Sequence, residues 1–230
     1  MKTLGIIGGM GPFATLDFFR KTLESSHVET DQEHLHIFID NYSQIPDRTA
    51  YLMGYGIDPY PLILECAKKL IMLDCSLLCM PCNTAHFWAD LLKIDIDGKA
   101  TFIDMIETVK EYILQKYGNN TRVLIMGTKG LIISKLYNNY FDNSMLIYPG
   151  TSLQDEIMSL IMQIKAGKLM ELTNIFNELI FKLKEYNPDV IIAACTEIPL
   201  LLPYVNLDIE ILDTSLLLAK KVVKVAYEGI

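Results

Sequence analysis

The sequence predicts an α/β protein of two pseudo-symmetric, Rossmann-like lobes with mostly parallel sheets and a site in the cleft between them. Three observations carry this. Short apolar runs with strand periodicity alternate throughout with stretches of helical spacing. Two of the runs, TLGIIGGMG at residues 3–11 and TRVLIMGTKG at 121–130, each pass through a glycine-bearing turn into a helix. In each half a later buried run ends on a cysteine in a polar turn: LLCMPCNTAH with Cys82, and VIIAACTEIPLL with Cys195.

In chain order, the first strand leads through Gly-Gly-Met-Gly to a helix starting near Pro12, with Phe13, Leu16, Phe19 or Arg20, and Leu23 at helical spacing. HLHIFID at 34–40 is a second strand. Residues 41–58 hold turn formers and aromatics without clear period and are expected to form a loop or lid. A helix over 59–73 tolerates its early prolines. SLLCM at 76–80 reads as strand and TAHFWADLL as helix. In the second half, helical patterns cover about 151–165 and 169–186, broken at Ala-Gly-Lys, and NPDVIIAACTE supplies turn, strand and polar turn. The closing DTSLLLAKKVVKVAYE opens with capping residues and is expected to pack back on the first lobe. The expected lobes are therefore 1–104 together with 210–230, and 105–209.

Composition narrows the function. Of 230 residues, 51% are hydrophobic and 21% charged, as in a folded soluble protein. The apolar runs are too short to cross a bilayer, and Gly-Gly-Met-Gly-Pro interrupts any export-like start. Five scattered cysteines without an export signal predict free thiols in a reducing, cytoplasmic setting. A net charge of -8 argues against a nucleic-acid surface. A carboxylate substrate would need cations placed locally to overcome it.

Ligands of open α/β sheets bind at the carboxyl ends of strands. Gly8–Gly11 with Met10 in its turn, Cys82–His86, Thr128–Gly130 and Cys195–Glu197 all fall there. Cys82 and Cys195 are the candidate catalytic pair, since a thiolate is the reactive form and a helix start favours it. Helix-start N–H groups also suit a carboxylate. His86, four residues after Cys82, is expected on the same helix face, tuning the thiol or simply packing. Glu197 accepts a proton or caps a short helix. Arg48 and Lys165 are candidate partners for a second carboxylate. Cys66, Cys75 and Cys79 sit in apolar runs and read as core. Cys79-Met-Pro-Cys82 has CxxC spacing, but Cys79 lies within a strand, so zinc or redox use is disfavoured. GGMGP lacks a full dinucleotide fingerprint, with only Asp40 as a ribose-binding acid, and neither glycine turn is a P-loop.

At these residues the chain resembles the aspartate/glutamate racemase family, in its aspartate racemase branch. IIGGMGPFAT, IPDRTA, MPCNTAH and CTEIPLL carry the likeness, which extends over essentially the whole chain. The resemblance implies no cofactor, a small acidic amino acid as substrate, and commonly a homodimer; charge, apolar-run length and cysteine spacing argue for no nucleic-acid partner, no membrane partner and no metal. It also implies residue roles: Cys82 and Cys195 as acid and base, Asn83, Thr84 and Thr196 on the α-carboxylate, and Arg48 and Lys165 on the side-chain carboxylate. Met10 and Thr128, in the glycine turns, complete the expected substrate contacts. Two departures stand out: Leu131 where a threonine is common, and Ala194 where glycine is common. Decarboxylation or cis–trans isomerisation of a small diacid, and non-catalytic carboxylate binding, are the alternatives.

Overall fold

In the computed structural model, which describes residues 2–228, two four-stranded sheets each run wholly parallel. The first contains β1 (Leu4–Gly8), β2 (Ile37–Asn41), β3 (Leu77–Cys79) and β4 (Thr101–Ile103), in the order β2-β1-β3-β4. The second contains β5 (Val123–Gly127), β6 (Leu146–Ile147), β7 (Val190–Ala194) and β8 (Ile211–Asp213), in the order β6-β5-β7-β8. The two orders are the same once four strands are subtracted. The predicted two-lobed α/β architecture is the observed one.

The helices are α1 (Pro12–Ser25), α2 (Arg48–Leu52), α3 (Tyr60–Met72), α4 (Ala89–Asp95), α5 (Met105–Tyr117), α6 (Lys129–Ile133), α7 (Thr151–Lys165), α8 (Thr173–Lys184) and α9 (Thr214–Glu228). Alternation along the strands assigns side chains to faces. Leu4 and Ile6 of β1, with Leu77 and Cys79 of β3, pack under α1 and α9, whereas Ile7 and Leu78 pack against α3 and α4. In the second sheet, Leu124, Met126, Ile191 and Ala193 face α7 and α8. Val123, Ile125, Val190 and Ile192 face α5. Both sheets are thus covered on both faces, as parallel sheets require.

The last helix of each half crosses to the other half. After β4 of the first sheet, α5 lays Ile106, Val109 and Ile113 on the second sheet. After β8 of the second, α9 lays Leu218, Val222 and Ala226 on the first, and α5 and α9 touch each other on the way. A buried ion cluster fixes the start of α9 against α1. Lys21 pairs with Asp17 on its own helix and with Asp213, 2.6 Å away, and donates to Ser215 Oγ at 2.9 Å. Asp213 also accepts the Leu216 N–H at 3.0 Å and so caps α9.

Two local expectations are revised. The expected loop over 41–58 contains α2, whose five residues are too few to show a period, and Asp47 caps it by accepting the Ala50 N–H at 2.9 Å. The expected helix after Cys82 begins as a 3-10 turn, Thr84–Trp88, before α4. The short strands β4, β6 and β8, all at sheet edges, have three residues or fewer and leave little pattern to read.

Gly130 permits one close approach. A Cβ there would lie 2.7 Å from the Thr49 Cα, so α2 of one half and α6 of the other meet backbone to backbone. Gly130→Ala should therefore cost about 1–3 kcal/mol and lower the melting temperature by roughly 2–10 °C in a thermal unfolding scan; an unchanged melting temperature would reject the close contact.

Candidate active site

β1, β3, β5 and β7, the central strands of the two sheets, deliver their C-terminal turns to one cleft. Gly9, with φ +88°, lets the first turn pass the Tyr42 backbone, which a Cβ would meet at 2.4 Å. The turn then presents Met10. Cys82, Asn83 and Thr84 come from the end of β3, Thr128 from β5, and Cys195, Thr196 and Glu197 from β7. Arg48 at the start of α2 and Lys165 at the end of α7 reach the same pocket. The cavity holds about 390 Å³ of empty space, counting its open mouth. It continues outward past Gly11, Phe13 and Ser43. Of the candidate residues named from sequence, His86 is the one that does not line it.

The two thiols sit in unlike surroundings. Cys195 donates from Sγ to Glu197 Oε2 at 3.0 Å. The other carboxylate oxygen of Glu197 takes the Lys165 ammonium and, at 3.2 Å, the Gly11 N–H. Glu197 is only 2% exposed, so this ion pair is shielded on its carboxylate side. The helix-start argument predicts a readily ionised thiol at both turns. At Cys195 the structure reverses it: burial, followed by the neighbouring Glu197 charge, pushes the thiol well above its ordinary range. Burial works against the Lys165 ammonium, but the Glu197 carboxylate outweighs it and raises its pKa.

Arg48 is already engaged. Nη1 donates to the carbonyls of Ile45 (3.1 Å) and Pro46 (2.9 Å), and Nη2 to that of Met10 (3.2 Å). Its buried Nε has no partner in the protein. Arg48 thus braces the Met10 turn while keeping Nε–H and one Nη2–H uncommitted.

Hydrogen bonds stitch the halves together around the pocket. Thr84 and Thr128 hydroxyls lie 2.9 Å apart, and Thr196 donates to the Pro81 carbonyl at 3.2 Å. Asn83 is held by Tyr137 and Thr214. Thr128 also caps α6 by accepting the Leu131 N–H at 3.2 Å. Leu131 itself is wholly buried in the core of the second half, so the hydroxyl absent there removes nothing from the pocket wall. Ala194 is equally buried, with its methyl against Gly127.

His86 does not tune the thiol from a shared helix face. Its Nε2 accepts the Met105 N–H at 3.0 Å, which leaves Nδ1 to donate to the Cys82 carbonyl at 2.9 Å. Burial holds its pKa down, in keeping with that neutral tautomer. The ring anchors the backbone of Cys82 to the start of α5. Cys79 packs on the opposite face of the sheet from Cys82, which rules out a chelating CxxC pair. Among the described residues no three His, Cys, Asp or Glu side chains are grouped to hold a metal.

Asp47, Thr49, Met158 and Met162 also line the pocket without having been read as site residues. Met158 and Met162 stand four residues apart on α7, and Lys165 follows at three, so helical periodicity from Lys165 points to both. Asp47 and Thr49 flank Arg48, but only the capped helix α2 brings them inward.

Comparison with known proteins agrees with this geometry. The family model described as Asp/Glu/Hydantoin racemase matches residues 7–222. The chain is 27% identical to the broad specificity amino-acid racemase RacX of Bacillus subtilis, over 98% of this chain and all of that one. It is similar to the structure of Picrophilus torridus aspartate racemase, with TM-score 0.83 and 29% identity over 98% of this chain and 94% of that one. Glutamate racemase of Francisella tularensis shares the fold, with TM-score 0.69 and 18% identity over 99% of this chain and 81% of that one. With the match spanning nearly every element that builds the cleft, the chain belongs to the Asp/Glu/Hydantoin racemase family and is a racemase-type isomerase.

Proposed function

We propose that the protein racemises an acidic amino acid, with aspartate as the principal substrate, using Cys82 and Cys195 as opposed acid and base. The observation that carries this reading is that a thiol from each half lines one cleft together with Arg48 and Lys165. In the resting form Cys195, held protonated by burial and by Glu197, is the donor. Cys82 as thiolate removes the Cα proton from one face. The Cys195 thiol delivers a proton to the other, inverting the centre, and the product leaves with the protonation states exchanged. The opposite enantiomer reacts from that exchanged form. The free amide N–H of Asn83 and the one hydroxyl proton that the Thr84–Thr128 pair leaves uncommitted meet the α-carboxylate and stabilise the charge that develops on it. Aspartate's side-chain carboxylate takes the uncommitted edge of Arg48 and competes with Glu197 for Lys165. The family resemblance supports a homodimer, and the five free cysteines support a cytoplasmic setting.

A broader substrate range is the second reading. Met10, Met158 and Met162 give the pocket a flexible thioether lining that accommodates apolar side chains. The printed name of the Bacillus subtilis relative is that of a broad-specificity enzyme.

Deuterium uptake at Cα in heavy water tests the reaction directly. The intact protein should label L- and D-aspartate, and Cys82→Ala and Cys195→Ala should each lose racemisation by about 10²–10⁴-fold, with exchange surviving from one enantiomer only. Absence of exchange from every acidic amino acid would sink the racemase reading for this chain.

Lys165→Met separates the two readings of specificity. It should lower kcat/KM for aspartate by about 10–100-fold and leave that for alanine within about threefold. Equal losses on both would reject a distal-carboxylate role for Lys165.

Glu197→Gln bears on the thiol. Loss of the carboxylate charge removes one cause of the raised Cys195 pKa, so the thiolate fraction rises at a given pH. Alkylation of Cys195 by iodoacetamide, followed by peptide mass spectrometry between pH 7 and 9, should therefore be faster than in the wild type. Slower or unchanged labelling would show that Glu197 does not hold the proton.

A further inference from the structure

A chain of buried hydrogen bonds runs between the two thiol-bearing turns, and its direction is forced from one end. Thr214 donates its single hydroxyl proton to the carbonyl of Ala193, at 3.1 Å, two residues before Cys195. Towards Asn83 it can then act only as an acceptor. The Asn83 atom facing it, at 2.9 Å, is accordingly the amide nitrogen. That turns Oδ1 towards Tyr137, whose phenol donates to it at 2.8 Å. Tyr137, Thr214 and Ala193 are wholly buried, and Asn83 is 1% exposed. No rotation of the amide satisfies both neighbours except this one. Burial also pushes the Tyr137 phenol far up, so it remains a donor at any working pH.

One amide proton of Asn83 is left without a partner in the protein, and Asn83 lines the pocket beside Cys82. We propose that Tyr137 and Thr214 are positioning residues that lock the Asn83 amide with this N–H available to the substrate's carboxylate, and that hold the Cys82 turn in register with the strand carrying Cys195. The proposal rests on the racemase reading of the site and adds two residues that touch neither substrate nor thiol. It also explains a buried tyrosine hydroxyl and a buried threonine hydroxyl that packing alone would not require.

The test is a double-mutant cycle in the full-length protein. Tyr137→Phe deletes one oxygen and leaves Oδ1 of Asn83 unpaired, and it should lower kcat/KM for racemisation about tenfold. In an Asn83→Ala background the same substitution should cost less than twofold, because the amide it orients is gone. A merely structural role would give the same loss in both backgrounds. Thr214→Val, nearly isosteric, stands as the second variant should Tyr137→Phe fold poorly, with the same expected pattern. A readout without turnover runs alongside: the Asn83 side-chain amide protons, followed by NMR, should exchange with heavy water at least tenfold faster in either variant. Additive losses in the cycle, or unchanged amide exchange, would overturn the proposal. Inactivity of the wild type towards every acidic amino acid would instead fault the racemase reading, and the amide-exchange result would still decide the positioning claim.

Discussion

The exchange of closing helices between the halves is the constraint on which everything else depends. Neither sheet is complete without apolar surface contributed from the other side: α5 leaves the first sheet to cover the second, and α9 returns from the second to cover the first. Because a parallel sheet buries both faces, removing either helix would expose a full row of Val, Ile and Leu side chains, each contributing about 1.5–3 kcal/mol by its burial. The halves are thereby held in one relative orientation by their own cores. A cleft whose two walls come from different sheets can then keep its groups in register without a large interface at the cleft itself.

Polar groups refine what the apolar exchange sets roughly. Around the pocket, Thr84 meets Thr128, Thr196 meets Pro81, Gly11 meets Glu197, and Asn83 is shared between Tyr137 and Thr214. Each bond joins a strand-end turn of one sheet to an element of the other half. Their directionality makes them sensitive to displacements that hydrophobic contact would tolerate. His86 does the same within the first half, tying the Cys82 carbonyl to the start of α5. The cysteine turns are therefore braced in part by groups that do not line the pocket: His86, Tyr137 and Thr214.

The pocket's charge is arranged against a background of -8. Two cations reach it, but neither is idle: Lys165 neutralises Glu197, and Arg48 holds three backbone carbonyls. Pairing of Lys165 with Glu197 and hydrogen bonding of Arg48 to carbonyls lower the cost of placing these charges in a small cleft, since an unpaired buried charge would be more expensive. It also makes the proton on Cys195 answerable to the same carboxylate that Lys165 holds. In the proposed reaction, acid–base balance and substrate charge would thus meet at one residue, Glu197.

The sequence by itself determined the architecture and most of the pocket wall. Strand periodicity, paired glycine turns and the two cysteine turns are local signals, and the C-terminal ends of parallel strands converge as a matter of geometry. Met10, Asn83, Thr84, Thr128, Thr196, Glu197 and both cysteines were legible for that reason, whereas Arg48 and Lys165, at helix ends, were read from their charge and from the family resemblance. Tertiary structure alone decided what each group is bonded to. The proton on Cys195 depends on burial and a carboxylate two residues away, and the service of His86 depends on a 3-10 turn where an α-helix is expected. The prior engagement of Arg48 depends on a five-residue helix too short to show a period. Tyr137 and Thr214 lie 54 and 131 residues from Asn83, respectively, and no local pattern can register such a meeting. Hydrogen bonds and pKa shifts depend on three-dimensional neighbours within a few ångströms, whereas periodicity reports only which side of a strand or helix faces inward.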